Sequence, residues 1–342
     1  MTGHHPMKRP QLAEFAAEFA SPPAGAAVLP LHAPCPIVLA CDEGYAMPLA
    51  TTLRSVAEHN RALWPLDITV LHDGFGADAR DKVLQSLPPG SAVIRWVALD
   101  MSGFDGFGLL GHVSRMTYAR LQIPALFADT GGKVLYMDTD ILVLDDLSAL
   151  MRTNLDGAAI GAVHDFHVDA NLKQGLTSRT VGVPRVREYF NAGILLFDID
   201  ACRRRRVTER AIGYLKAHAA TPYADQDALN VACDGDWMPL SGRWNFQDHH
   251  MTAIARLADM QRPAIVHFIT SSKPWKPRSG SVNAGFYDSF RARTRFARSP
   301  LQQLGDWCES STWRVRRRLA RLAASLTPAP AGGARADATG RG

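Results

Sequence analysis

The chain is predicted to be an α/β protein on a mostly parallel, doubly wound sheet, and three observations carry that prediction. Over roughly the first 140 residues, apolar runs of strand length alternate with amphipathic stretches of helix length. The runs lack polar alternation, as strands covered on both faces do. With 342 residues, 46% hydrophobic and 21% charged, there is enough apolar material for one large α/β domain or two ordinary ones.

The elements follow in order. "CPIVLACD" (35–42) reads as a buried strand and "AMPLATTLRSVAEHN" (46–60) as a helix. Next come a strand "LDITVLHDG" (66–74), a helix near 78–87 and a strand "SAVIRWVALD" (91–100). A helix near 114–128 precedes the strand "GKVLYMD" (132–138). After residue 150 the pattern loosens: "GAAIGAVHD" (157–165) and "YFNAGILLFDID" (189–200) read as strands, with a helix beginning near Ala201. "DQDALNVAC" reads as a short helix and "PAIVHF" as a late strand. No repeat and no long internal linker divides the chain.

Composition bounds the rest. The net charge of +5 owes much to a C-terminal arginine cluster, so it describes the tail more than the core. Five scattered cysteines without a C-x-x-C pair suit a reducing compartment better than a disulfide framework. No apolar run approaches the roughly 18 residues of a spanning helix. Glu14 and Glu18 interrupt the apolar part of the N-terminus, which argues against a signal peptide. Residues 1–34 read as a mobile extension with one short helix near 10–20, and residues 327–342 as a disordered tail. A cytoplasmic protein follows.

Chemistry concentrates in "KVLYMDTDILVLDDL" (133–147). Residues two apart in an extended chain project to the same side, so Asp138 and Asp140 can face one point while Thr139 turns away. Ligands of open α/β sheets bind outside the carboxyl ends of the strands. Two unpaired carboxylates there repel each other; a hard divalent cation removes the repulsion and can hold a pyrophosphate. The bland alternative is a helix cap or a solvated turn. Asp145 and Asp146 are explained as helix N-terminal residues before "LSALM". In "AIVHFITSSKPWK" (264–276), His267 is a candidate third ligand for manganese and Lys273 a counter-charge for phosphate. A core histidine and a loop closed by Lys273-Pro274-Trp275 are the alternatives.

Six stretches carry a resemblance: "IVLACDEGYAMPLATTLRSV", "RMTYARLQIP", "KVLYMDTDILVLDDL", "YFNAGILLFDID", "YADQDALN" and "VHFITSSKPW". In this order, over residues 36 to about 276, the chain resembles the retaining glycosyltransferases of family 8, which include bacterial lipopolysaccharide galactosyl- and glucosyltransferases. The resemblance implies the GT-A fold, a UDP-sugar donor and manganese, with magnesium as the alternative ion. It puts Asp138, Asp140 and His267 on the metal. It puts Asp42 on the uracil imide and Tyr45 against the base, with Ala40, Gly44 and Thr139 beside the nucleotide. Arg120, Lys273 and Thr270 would meet phosphate or sugar oxygens; Asp165, Asn191 and the Asp225-Gln226 pair would line the donor sugar. Two positions depart from the family. Thr270 stands where a glycine is usual, and Gly44 where relatives often carry Asn.

The implied reaction moves a hexose, galactose or glucose, from UDP to a glycan or lipid-linked acceptor with retention at the anomeric carbon. Two routes are open: same-face substitution, with Gln226 and Asp225 steadying positive charge or holding hydroxyls, and a covalent route through Gln226, whose amide is a poor nucleophile. For "DQDALN" the plain alternative is a helix start with Asp225 as cap. A metal-dependent UDP-sugar hydrolase or nucleotidyltransferase, and an inactive sugar-nucleotide binding module, are the rival classes.

The chain thus divides into the extension, a GT-A domain at 35–290, a basic amphipathic helical region at 291–326, and the tail. Within "WRVRRRLARLAASL" (313–326), Val315, Leu319, Leu322 and Leu326 share one helical face, flanked by Arg314, Arg317, Arg318 and Arg321. That pattern suits an anionic membrane surface or a helix packed on the domain. Nucleic acid is not an expected partner, since no aromatic platform interleaves the arginines.

Overall fold

A seven-stranded sheet and a three-stranded sheet form the frame. The structure is a computed structural model and describes residues 35–108, 114–173, 182–248, 262–277, 279 and 281–326. The helix expected near residues 10–20 and the tail from 327 lie outside the described residues. The strands are β1 (Ile37–Ala40), β2 (Leu66–His72), β3 (Ala92–Ala98), β4 (Lys133–Met137), β5 (Ile141–Val143), β6 (Ile160–His164), β7 (Phe190–Asp198), β8 (Trp237–Pro239), β9 (Phe246–Gln247) and β10 (Ile265–His267).

The large sheet runs β3-β2-β1-β4-β7-β6-β8. It is parallel through β3, β2, β1 and β4, while β7 pairs antiparallel with both β4 and β6. Successive β1 side chains enter opposite cores, as the pleat requires. Ile37 and Leu39 meet Leu49, Leu53 and Val56 on one side. Val38 and Ala40 join the core of Tyr118, Tyr136 and Phe197 on the other. This is the doubly wound α/β architecture expected from the buried apolar runs.

Strand order reverses between β1 and β4. The chain moves outward from β1 to β3, then returns to place β4 on β1's other edge. A crevice at such a switch point is where nucleotides bind in these sheets. Asp42 follows the end of β1 and Asp138 the end of β4, so both stand at this crevice.

One expected element differs. Residues 114–128 are not one α-helix but a 3-10 helix, Arg115–Gln122, followed by the short helix Ile123–Leu126. Pro124 has no N–H to give to the carbonyl of Arg120, so an α-helical ladder cannot run through it. The tighter turn also sets residues three apart over one another. Arg120 Nη2 thereby reaches Thr117 Oγ1 at 3.2 Å.

The small sheet, β5-β10-β9, carries the site's other half. β5 leaves β4 through Asp138-Thr139-Asp140 and pairs antiparallel with β10, with His267 opposite Ile141. The helix Ala46–His59 pins this turn: Thr52 Oγ1 donates to the carbonyls of Thr139 (2.8 Å) and Ile141 (2.9 Å). Ser55 Oγ accepts from Val143 N at 2.9 Å, and Asn60 Oδ1 from Leu147 N at 2.7 Å. Three polar side chains, Thr52 and Ser55 on the helix and Asn60 just past its end, thus hold the acidic turn and the strand that follows it through four contacts.

Candidate active site

Asp138, Asp140 and His267 converge. Each offers one ligand atom within 4.8 Å of the others. His267 Nε2 lies 3.6 Å from Asp138 Oδ2 and 3.3 Å from Asp140 Oδ1. Adjacent ligands on an ion with bonds of about 2.1 Å stand roughly 3 Å apart, so the two separations from His267 are a few tenths of an ångström wider than a cation would draw them. Gly193, on β7, borders the same space. A Cβ there would fall 2.1 Å from His267 Cε1 and 2.9 Å from Asp138 Oδ2. The donor set of two carboxylates and an imidazole, with glycine leaving room beside it, fits a hard divalent ion.

Both carboxylates are held from behind. Asp138 Oδ1 accepts from Tyr136 Oη at 2.6 Å and pairs with Arg120 Nη2 at 2.8 Å, leaving Oδ2 toward His267. Asp140 Oδ2 accepts from Lys273 Nζ at 2.6 Å; that ammonium, buried at 5% exposure, also donates to Phe268 O at 2.6 Å. Burial alone would push the Asp140 carboxyl up. The positive charge beside it, Lys273 foremost, outweighs burial and holds the group well below the usual carboxylate range.

Arg120 is buried rather than a surface helix charge. Besides Asp138 it reaches Ala192 O through Nη1, and its guanidinium lies 4.7 Å over the Tyr136 ring. Asp225 Oδ2 is 2.9 Å from Arg120 Nε, off the line of that N–H, which donates to Thr117 O at 3.1 Å. Asp225 Oδ1 accepts from Thr117 Oγ1. Burial pushes the Asp225 carboxyl up to about 6, against the pull of Arg120.

Asp225 does not cap its helix (Ala224–Ala232), which has no side-chain cap at Tyr223. Asp227 instead accepts from Thr221 Oγ1, Tyr223 N and Tyr189 Oη. Ala224 has φ +48°, a strained value for a residue with a Cβ, just where the chain delivers Asp225 and Gln226. Gln226 is held at both ends of its amide: Oε1 accepts from Ala192 N at 3.0 Å and Nε2 donates to Asp165 Oδ2 at 3.2 Å. Asp165 Oδ2 also accepts from Asn191 Nδ2 at 3.1 Å, while its Oδ1 takes Val168 N at 3.0 Å.

On the β1 side, Asp42 is partly exposed and Gly44 exposed. A Cβ at Gly44 would come 3.0 Å from Asp42 Oδ1, so any side chain at this position would crowd that carboxylate. The Tyr45 ring meets Trp275 edge-on at 6.0 Å. Burial raises its phenol pKa, and the carboxylates of Asp140, Asp42 and Asp138 raise it further. Ala40 closes β1, Thr139 is buried between the two acids, and Thr270 lies three residues past His267, partly exposed. Asp146 Oδ1 accepts from Ser148 N at 2.6 Å at the next helix start, as expected, whereas Asp145 pairs with Arg243 at 2.5 Å.

Sequence reasoning missed Gly193, Asn245, Tyr136 and Thr117. Gly193 carried a signal, because a glycine inside an aliphatic strand marks close approach by another group. Asn245, whose Oδ1 lies 3.0 Å from His267 Nδ1, carried none, as only the fold brings it there.

Comparison with known proteins agrees with this geometry. The family model "Glycosyl transferase family 8" matches residues 36–278. General stress protein A of Bacillus subtilis is 27% identical over 274 residues, 76% of this chain and 94% of that protein. Glycosyltransferase GlyF of Streptococcus pneumoniae is 27% identical over 248 residues, 71% of this chain but 58% of that protein. The crystal structure of galactosyltransferase LgtC, with donor and acceptor sugar analogues, superposes with a TM-score of 0.66 at 28% identity, covering 79% of this chain and 99% of that one. With a mostly parallel GT-A-like sheet, an Asp-Asp-His cluster at its switch point and a family match spanning most of its length, this chain belongs to glycosyl transferase family 8.

Proposed function

We propose that the chain transfers a hexose, galactose or glucose, from a UDP-sugar to a hydroxyl of a saccharide or lipid-linked saccharide, with retention at the anomeric carbon. The observation that carries this is the convergence of Asp138, Asp140 and His267 beside a buried lysine and a row of amides. Asp138, Asp140 and His267 would hold manganese, or magnesium in its place. The ion supplies charge neutralisation on the diphosphate as the leaving group departs.

The remaining work falls to the chain's own groups. Asp42 accepts the uracil imide N–H, and Tyr45 offers its face to the base, with Ala40, Gly44 and Thr139 forming the adjacent walls. Lys273, buried and already charge-paired, is fixed in advance where phosphate charge grows, so little reorganisation is needed. Arg120 acts by orienting Asp138, since its donors point to protein acceptors. Asp225 in turn orients Arg120. Asp165, Asn191 and Gln226 meet the sugar hydroxyls. The double tethering of the Gln226 amide disfavours its attack on the sugar and favours same-face substitution, in which the departing phosphate takes the acceptor's proton.

Residues 35–290 form the catalytic domain in this reading, and the helix Pro300–Leu326 is its attachment to an anionic membrane surface on the cytoplasmic side. Leu301, Leu304, Val315 and Leu319 are 81%, 58%, 58% and 60% exposed. Their spacing sets them on one face, so at these positions the helix is not packed on the domain. Among the described residues no helix is long and apolar enough to cross a membrane. An acceptor of cell-surface polysaccharide or lipopolysaccharide type would be met at such a surface.

The test is a mass-spectrometric screen of UDP-sugars with manganese, followed by acceptor arrays for the donor that turns over. The expected result is UDP release stimulated by an acceptor, with an α-linked glycan product. UDP release indifferent to every acceptor would point to a hydrolase, and a product of inverted configuration would remove the same-face route.

A further inference from the structure

Behind His267 runs a line of amides whose polarity is set at its far end. Asp165 presents a carboxylate, which as an ion only accepts. Asn191 therefore turns its Nδ2 to Asp165 Oδ2 at 3.1 Å, and its Oδ1 accepts from Gly193 N at 3.0 Å. With Asn191 fixed between an acceptor and a donor, Asn245 must offer its own Nδ2 to Asn191 Oδ1, at 2.8 Å. Its remaining oxygen then faces His267 Nδ1 at 3.0 Å. A carbonyl oxygen there requires hydrogen on Nδ1, and neutral imidazole carries only one. Nε2, the nitrogen turned to Asp138 and Asp140, is left with its lone pair.

We propose that Asn245 is the positioning residue that fixes His267 as a metal ligand, and that the relay Asp165–Asn191–Asn245 ties the ion's site to the pocket of the donor sugar. It rests on the metal reading given above. Asn245 and Asn191 are 0% and 6% exposed, so water does not compete for these bonds. Asp165 Oδ2 also holds Gln226 Nε2 at 3.2 Å. A displacement of the sugar-facing amide is thus felt, through three side chains, at the imidazole. Groups behind a metal-binding histidine commonly set its tautomer and tune affinity about 10- to 100-fold.

The experiment reads ring nitrogens directly. In the full chain labelled with 15N-histidine, the His267 resonances, assigned by their loss in His267→Gln, are recorded near pH 8, above the ordinary imidazole range of about 6.5. Hydrogen on Nδ1, both without metal and with excess diamagnetic magnesium, is the expected result; a bare Nδ1 in either sample overturns the proposal. Manganese affinity is then measured by calorimetry, without donor or turnover. Asn245→Leu should bind about 10- to 100-fold more weakly, while Asn245→Asp, which keeps an acceptor against Nδ1 but sets an oxygen against Asn191 Oδ1, should recover only part of that loss. Equal affinity of wild type and a folded Asn245→Leu, checked by circular dichroism, overturns the coupling. If the wild-type chain binds no manganese at all, the metal reading falls, and the ring spectrum alone decides the relay.

Discussion

Gly193→Ala tests the geometry at its tightest point. The added methyl would lie 2.1 Å from His267 Cε1, 2.6 Å from His267 Nδ1 and 2.9 Å from Asp138 Oδ2. Carbon atoms in contact sit at about 3.5–4.0 Å, so the imidazole must retreat by roughly 1.4 Å or the strand must bend. His267 has little room to move, being 4% exposed, paired through β10 on both sides, and bonded to Asn245. Sites of this kind tolerate about 0.5 Å of ligand displacement, and misplacement near 1 Å costs about 100-fold in rate. The expected outcome is a loss of about 100-fold or more in manganese affinity and in manganese-dependent UDP release. A stability loss of about 1–3 kcal/mol should accompany it, as for other overpacked cores. Calorimetric titration with manganese, alongside a urea unfolding curve, measures both. Metal affinity within twofold of wild type in a folded Gly193→Ala protein would refute the placement of Gly193 against the ligands.

Three further outcomes follow from the same contacts. Arg120→Met leaves Asp138 and the deeply buried Asp225 without their counter-charge, and urea unfolding should show a loss of about 3–5 kcal/mol; a loss under about 1 kcal/mol would mean the cluster does not need the guanidinium. Asp225 has a folded pKa of about 6, above its ordinary 3.8. The folded state therefore binds the proton more tightly, and the resulting stability is present at low pH and lost as pH rises through about 6. The melting-temperature difference, wild type minus Asp225→Asn, should accordingly fall between pH 4 and 6; a difference that grows over this window has the opposite sign. Replacing Leu301, Leu304, Val315 and Leu319 together by Glu should abolish co-sedimentation with anionic vesicles and leave UDP release unchanged, because all four side chains are exposed. Undiminished sedimentation would remove the helix from membrane attachment.

Much of this frame was legible in the sequence because its signals are local. The runs that became β1, β4 and β7 are apolar almost throughout, as strands covered on both faces are. Asp138 and Asp140 were legible too, standing where such a run stops. The 115–126 segment was misread because amphipathic spacing does not separate a 3-10 helix from an α-helix, and Pro124 is compatible with either until its missing donor is counted. Arg120 could be placed on a helix but not buried, since its partners Asp138, Asp225 and Ala192 come from three distant parts of the chain. The alternative of Asp225 as a helix cap failed for a related reason. A first-turn acid is statistically a cap, yet a buried arginine nearby outcompetes backbone N–H groups that Asp227 can satisfy. Asn245 and the amide relay exist only after β9 and β10 have paired.

Manganese binding in the presence of UDP is the most direct measurement, comparing wild type with the triple variant Asp138→Asn, Asp140→Asn, His267→Gln. Saturable binding of one ion by wild type, and none by a folded triple variant, is the predicted result. A triple variant that binds manganese and UDP as tightly as wild type would contradict the assignment, because the cation would then be held somewhere other than the mouth of β4.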